Sequence, residues 1–429
     1  MDHSDYVAPD GSWIKPEIFS DPALYQLEKQ RVFGRSWLLL GHESQLPRPG
    51  SFLRTFMGEE SVLVTRDRSG RIRAHLNTCR HRGFQVCQED RGTAHRFQCR
   101  YHGWTYDSDG SLAAVPGEAS IYYNEIDKQK WGLAPVARVD LYEGLVFGNF
   151  DPDAPSLAAF LGDMAWYLDV ILDRRAGGTE LLGPQRWRIA SNWKVVAENH
   201  CGDEYHIGFA HGSVFPPDLG ADRATPVPFA REIRPALGHG LGANILPEEM
   251  SPDECLAHNA LGEAPPHVRS YLLGINDEIV KRLGSQRARI GLIHGAVWPN
   301  FGMVPIFNTL RVIQPRGVGE VEMWSYGLVD RDAPPDVKSW FAARSARGFG
   351  PGGTFEQDDA GNWTAVTSSS NGAEARKQRL NIQMGLGHEE RSDRIPGELG
   401  MTASEINQRG FYLRWMREMF GEGCTGARA

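Results

Sequence analysis

Two short groups of metal-binding side chains constrain this sequence more than anything else in it. Cys79-Arg80-His81 is followed, after seventeen intervening residues, by Cys99-Arg100-Tyr101-His102. Each group offers one thiolate and one imidazole from a single loop, and Gly83 and Gly103 stand where each loop must turn tightly. Two thiolates and two imidazoles suit a tetrahedral zinc ion, or an iron–sulfide cluster with two Cys on one iron and two His on the other. A chance coincidence of buried Cys and His does not account for four ligand-type residues at claw spacing on both sides.

The surrounding texture fits loops presented by a small β domain. SFLRTFM, SVLVTRD, RIRAHLN, HRFQCRY and GLVFGNF are short runs rich in β-branched and aromatic residues, separated by turn signals such as Asp67 to Gly70 and Asp107 to Gly110. We therefore read residues 37–155 as one β domain, 1–36 as an N-terminal segment with a helix over 21–34 opened by Ser20 or Asp21, and 156–429 as a second domain. Within the latter, 156–210 reads as helical, 215–265 as a Pro/Gly-rich irregular stretch suited to a lid or channel wall, 290–330 as strands, and INQRGFYLRWMREMF as a closing helix. The formal net charge of -8, without a run of Lys or Arg, argues against partners such as nucleic acid or an anionic membrane surface. No apolar run approaches spanning length and MDHSDYVAPDG lacks the features of a signal peptide, so the expected location is the cytoplasm. The six cysteines are then expected to be metal-binding or incidental rather than paired.

A second constellation lies in NWKVVAENHCGDEYHIGFAHGS, residues 192–213. Asn199, Asp203 and His206 are spaced i, i+4 and i, i+7, so on a helix they share one face. His211 would lie well round that helix, so a break is expected near Gly208. Downstream, TFEQDDAGNW (354–363) supplies Glu356, Asp358 and Asp359 in what otherwise reads as a solvated acidic turn. Two histidines and one carboxylate make the facial triad of non-haem iron oxygenases, which leaves one face open for O2.

CRHRG and CRYHGWTY resemble the Rieske loops of aromatic-ring-hydroxylating oxygenases, and the similarity runs on to EINQRGFYLRW (405–415), covering nearly the whole chain. Respiratory Rieske proteins fit less well, because their inter-loop disulfide would need cysteines where Phe84 and Tyr101 stand. The resemblance implies an α+β protein: an all-β Rieske [2Fe-2S] domain inserted into a catalytic domain with a central antiparallel sheet flanked by helices, of helix-grip type. It implies Cys79, His81, Cys99 and His102 as cluster ligands, and His206, His211 and Asp359 as ligands of a mononuclear Fe(II), with Asp359 favoured over Asp358 and Glu356. Imidazole ligation raises the cluster's potential and suits it to accept electrons from a ferredoxin.

Asp203 and Asn199 are then the candidate catalytic residues, with Asp203 joining His206 to His102 of a neighbouring subunit in a homotrimeric alpha ring, α3 or, with a small beta subunit, α3β3. The implied reaction is hydroxylation of an aromatic small molecule by O2, giving most commonly a cis-dihydrodiol, with monohydroxylation as the other outcome. Electrons come from NAD(P)H through a separate reductase and ferredoxin, since no flavin, nicotinamide or plant-type ferredoxin signature is present in the sequence. His200, Phe355 and Trp363 are expected to line the substrate pocket. His200 and Cys201 replace the larger, more apolar side chains expected for a hydrocarbon substrate, which points to a substituted arene bearing a carboxylate or hydroxyl. Two rival readings are a Rieske electron-transfer protein without oxygenase activity and a zinc-stabilised binding protein.

Overall fold

The computed structural model describes residues 5–214 and 229–421. Backbone contacts divide the chain into two units, Phe33–Leu157, and Met1–Val32 together with Ala158–Ala429. The first is built of three small antiparallel sheets. Strands β1 (Leu38–His42), β2 (Ser51–Met57), β3 (Glu60–Arg66), β4 (Ile72–Leu76), β5 (Arg91–Thr93), β6 (Arg96–Gln98), β7 (Thr105–Asp107), β8 (Leu112–Ala114), β9 (Arg138–Tyr142) and β10 (Leu145–Asn149) pair in the orders β9-β10-β1, β4-β3-β2-β5 and β6-β7-β8. One core cluster gathers Phe52, Leu63, Phe97, Trp104 and Tyr106 around Cys79 and Cys99. Phe52 and Phe97 meet edge to face at 5.2 Å, the preferred arrangement of two ring quadrupoles.

Among the described residues, the second unit is organised by a nine-stranded antiparallel sheet. Its strands are β11 (Thr179–Ile189), β12 (Ala230–Ala236), β13 (His239–Ile245), β14 (Ile290–Val297), β15 (Phe301–Val304), β16 (Thr309–Pro315), β17 (Val321–Asp330), β18 (Glu390–Arg391) and β19 (Glu398–Met401), in the order β11-β17-β16-β15-β14-β13-β12-β19-β18. β15, β16 and most of β17 are buried along their whole length, as expected for strands covered on both faces. Among the helices are α1 (Pro22–Arg31), α2 (Trp193–Gly202), α3 (Ile207–Ala210), α4 (Pro335–Phe349), α5 (Thr354–Ser369) and α6 (Ile406–Phe420). α2 lies across β13 to β16, and α6 packs on α2.

Several sequence expectations need correction. The stretch 156–210 is not continuously helical, because Thr179–Ile189 enters the sheet, where its Leu and Trp side chains pair along β17. Much of the Pro/Gly-rich stretch is regular: Gly238 and Gly240 lie where backbone and side chains pack too closely for a Cβ, in the tight β12–β13 hairpin. Residues 215–228, the middle of the expected lid, lie outside the described residues. Asp358 and Asp359 sit in α5, not in a solvated turn. Asp21 caps α1, accepting hydrogen bonds from the backbone N–H groups of Ala23 and Leu24, as Ser or Asp at this position should. No helix among the described residues is long and apolar enough to cross a membrane.

Candidate functional site

The two claws of the first unit are near copies of each other. Cys79 N–H donates to Phe84 O and Gly83 N–H to Cys79 O, at 2.8 and 2.9 Å, while Cys99 N–H donates to Trp104 O and Gly103 N–H to Cys99 O, again at 2.8 and 2.9 Å. Both glycines have φ +74, a left-handed conformation that closes each loop. Cys79 and Cys99 are buried free thiols, and the rings of His81 and His102 meet edge to face, centroids 4.5 Å apart. The Nδ1 of His81 is buried without a hydrogen-bond partner among the described residues. Tyr106 holds the first loop, its hydroxyl accepting from Arg80 N–H and lying 3.3 Å from Cys79 Sγ. Two buried thiols beside two adjacent imidazoles, one with an orphaned nitrogen, form a donor set that fits a [2Fe-2S] cluster.

The second site is assembled by α2, α3 and α5. Asn192 caps α2 by accepting from Lys194 N–H at 3.0 Å, and Thr367 of α5 accepts from Asn192 N–H at 2.9 Å, so the two helices share one anchor. Glu356, Asp359, Trp363 and Thr367 form the buried face of α5 at helical spacing. α2 ends at Gly202 rather than near Gly208. Gly202 has φ +148, and a Cβ there would stand 2.2 Å from Glu232 Oε2, so the chain breaks where only glycine fits. The break lets the chain re-aim before α3, and it brings His206 and His211 together, ring centroids 5.1 Å apart.

Their Nε2 atoms converge on one atom, Asp359 Oδ1, at 3.3 and 3.2 Å. That oxygen is buried and has no hydrogen-bond partner among the described residues, so the approach is one of three ligand-type atoms toward a shared point. On the far side of each ring, Nδ1 is committed: His206 Nδ1 to the backbone carbonyl of Asp203, and His211 Nδ1–H to Asp358 Oδ2 at 3.1 Å. Metal-binding histidines are held in this way, the outer nitrogen fixed by an oxygen and the inner one free. Burial alone would lower His206, yet Asp203 and Asp359 push it up to about 10, so the surroundings favour positive charge. The residues fit a divalent cation with two imidazoles and a carboxylate.

The other candidates separate clearly. Asp203 lies 3.3 Å from His206 Nδ1 and accepts from Asn199 Nδ2 at 3.1 Å, so both reach the site. Glu356 is turned away, paired with Arg311 and accepting from Trp187 Nε1 at 3.0 Å. A cavity of about 370 Å³ opens beside the triad, and His200 and Phe355 line it. Trp363 does not line it. It is buried behind His200, ring centroids 5.7 Å apart. His200 offers the cavity no free polar atom, because Nδ1 is bonded to Val196 O at 2.8 Å and Nε2 contacts Arg311 at 3.1 Å. Burial, with Arg311 beside it, lowers its pKa to about 3 and keeps it neutral. Sequence reasoning missed Phe307 and Phe349, whose rings pack on Phe355 at 5.1 and 5.4 Å, and also Glu204 and His294. The aromatic residues at 307 and 349 carry no local signal, since β-sheet pairing and helix packing bring them in from distant positions.

Comparison with known proteins adds a family context to this geometry. Residues 36–130 match the family described as the Rieske [2Fe-2S] domain, and residues 157–419 match the ring hydroxylating alpha subunit catalytic domain. The chain is 41% identical to the biphenyl dioxygenase alpha subunit of Paraburkholderia xenovorans, over 95% of this chain and 90% of that one. It is also 41% identical to a benzene 1,2-dioxygenase alpha subunit of Pseudomonas putida, over 95% and 91%. Among solved structures, a naphthalene 1,2-dioxygenase variant bound to phenanthrene superposes with a TM-score of 0.89 at 32% identity, covering 100% of this chain and 96% of that one.

Proposed function

This chain belongs to the ring-hydroxylating dioxygenase alpha-subunit family, and on that premise we propose that it is the terminal oxygenase component of an aromatic-ring dioxygenase. The observation that carries the reading is the convergence of His206 and His211 on the orphaned Asp359 oxygen beside an apolar cavity. An electron-transfer protein would have no use for that arrangement.

His206, His211 and Asp359 would hold the mononuclear iron, Cys79 and Cys99 one iron of the cluster, and His81 and His102 the other. When bound, these groups supply O2 activation and single-electron delivery. Asp358 fixes the tautomer of His211 so that Nε2 faces inward, and the Asp203 carbonyl does the same for His206. Phe307, Phe349 and Phe355 would give the arene an aromatic wall and help keep water out of the cavity. Asn199 steadies the Asp203 carboxylate, which the family resemblance makes the bridge from His206 to the exposed His102 of a neighbouring copy. That role needs a trimeric ring, α3 or α3β3, with ferredoxin and an NAD(P)H reductase as electron donors, in the bacterial cytoplasm. The product expected is a cis-dihydrodiol.

Anaerobic metal and sulfide analysis tests the site assignment. Wild-type protein should carry about three irons and two sulfides per chain. The double variant His206→Ala/His211→Ala should carry about two irons, keep the Rieske EPR signal and lose arene-dependent O2 uptake. Equal iron in both proteins, or zinc in place of iron, refutes the reading.

A further inference from the structure

Four of the buried side-chain atoms without a hydrogen-bond partner among the described residues belong to residues lining the cavity: Asp359 Oδ1, Glu204 Oε1, and both ring nitrogens of His294. The first belongs to the triad. The other three form a separate polar spot. Glu204 and His294 side chains are 6% and 10% exposed, and Oε1 stands 3.4 Å from Nε2 without hydrogen-bond geometry. Leaving such groups unpaired costs about 1–3 kcal/mol each, so a buried pair of them in a ligand cavity calls for a partner.

The sheet keeps the space for this pair open. Gly242 on β13 is paired with His294 on β14, and a Cβ at Gly242 would stand 2.4 Å from Glu204 Oε1 and 2.7 Å from His294 Nε2. A metal ion is the less fitting occupant, although Glu232 lies within ligand reach of both residues. Glu232 does not line the cavity, and its carboxylate accepts from Asn407 Nδ2 at 2.7 Å and from Glu204 N–H at 3.4 Å. What remains free is one carboxylate acceptor and an imidazole that offers one donor and one acceptor.

We propose that Glu204 and His294 recognise a hydroxyl or primary amino substituent on the aromatic substrate, so that this enzyme prefers phenol- or aniline-type arenes to plain hydrocarbons. The substituent donates to Glu204 Oε1 and accepts from the imidazole N–H. A ring carboxylate does not fit, because it would bring a second acceptor-only group against Glu204. The preference follows because a methyl group in the same place leaves both protein groups unpaired, and sites built on a hydrogen bond reject the analogue that lacks it. This rests on the oxygenase reading only for the location of the substrate.

The test uses three ring compounds of nearly one shape, 1,3-dimethylbenzene, 3-methylphenol and 3-methylaniline. Binding to the iron-loaded protein is followed by titration calorimetry, and turnover by product analysis. Wild type should bind the phenol or the aniline about tenfold or more tightly than the dimethyl compound. Glu204→Met should abolish that ratio, and Glu204→Gln, which keeps an acceptor oxygen, should restore most of it. Iron content confirms that each variant is folded around its site. Equal binding of the three compounds by wild type overturns the proposal, as does an additional metal ion per chain that disappears in Glu204→Met. A binding preference without turnover of any arene upholds the pair and strikes the oxygenase reading instead.

Discussion

Replacing Glu28 with Gln should destabilise the larger unit by about 4 kcal/mol. Glu28 and Lys194 are both fully buried, 2.5 Å apart, and Glu28 also accepts from Trp193 Nε1–H at 2.7 Å and Trp415 Nε1–H at 2.8 Å. Burial lowers the Lys194 pKa and the Glu28 charge opposes it, so the ammonium depends on its partner. Glu28→Gln keeps the size and one acceptor but leaves Lys194 without a counter-charge, and breaking a buried pair from one side costs roughly 3–5 kcal/mol. Turning an amide NH2 toward a donor also orphans one hydrogen bond, worth about 1–3 kcal/mol where the two losses do not overlap. Removing both charges, in Glu28→Gln/Lys194→Met, should recover much of this, with a coupling of about 2 kcal/mol or more in the double-mutant cycle. Urea unfolding of the iron-loaded protein, followed by tryptophan fluorescence, measures each corner. A single-variant loss below about 1 kcal/mol, or strictly additive losses, would refute the reasoning.

Other consequences can be checked alongside. Cys99→Ser should abolish the visible absorption of the cluster, whereas Cys87→Ser should leave it intact, because Cys87 is held by Asn77 and points to Glu89 O at 3.5 Å. A colourless Cys87→Ser protein would contradict the ligand assignment. His75 and His239 are each lowered to about 4, chiefly by burial, while the unfolded chain protonates them near 6.5. Unfolding therefore takes up protons below about 6.5, so this contribution to stability is intact above that pH and is lost as pH falls toward 4, by up to about 3 kcal/mol per residue. His239→Gln should be less stable at pH 7.5 but flatter between pH 6.5 and 4 in urea-unfolding series; an unchanged slope counts against this account.

What could be read directly from the sequence was whatever is local along it. The two claws lie within three or four residues each, so their spacing announces them, and the β-branched and aromatic content of SFLRTFM and SVLVTRD marks them as strands, which the structure forms over Ser51–Met57 and Glu60–Arg66. Asp359 was reachable only through resemblance, because the histidines it faces lie some 150 residues earlier and α5 alone gives no sign of them. The helix break was expected near Gly208 and falls at Gly202, since the deciding contact is with Glu232 on a strand that the sequence pattern had hidden in a Gly-rich stretch. Trp363 was read as a wall and is a buried anchor, and His200 as a substrate contact when Arg311 already occupies it. Glu204, just after α2, and His294, on β14, are 90 residues apart and meet because α2 lies across the sheet, a tertiary fact with no local signature.

The hydrogen bond from Trp415 to Glu28 spans 387 residues, and it has a meaning for how the protein is made. At roughly 5–20 residues per second on the ribosome, α1 waits about 20 to 80 s after emerging before the helix that covers it exists. Phe33–Leu157 contains its own strands and core and can be finished in the interval. During that wait the apolar side of α1 and the Glu28 carboxylate have no permanent home, and the nascent chain is at its most dependent on chaperones. Variants that loosen α6 should therefore lower the yield of soluble protein before they lower the activity of the molecules that complete folding.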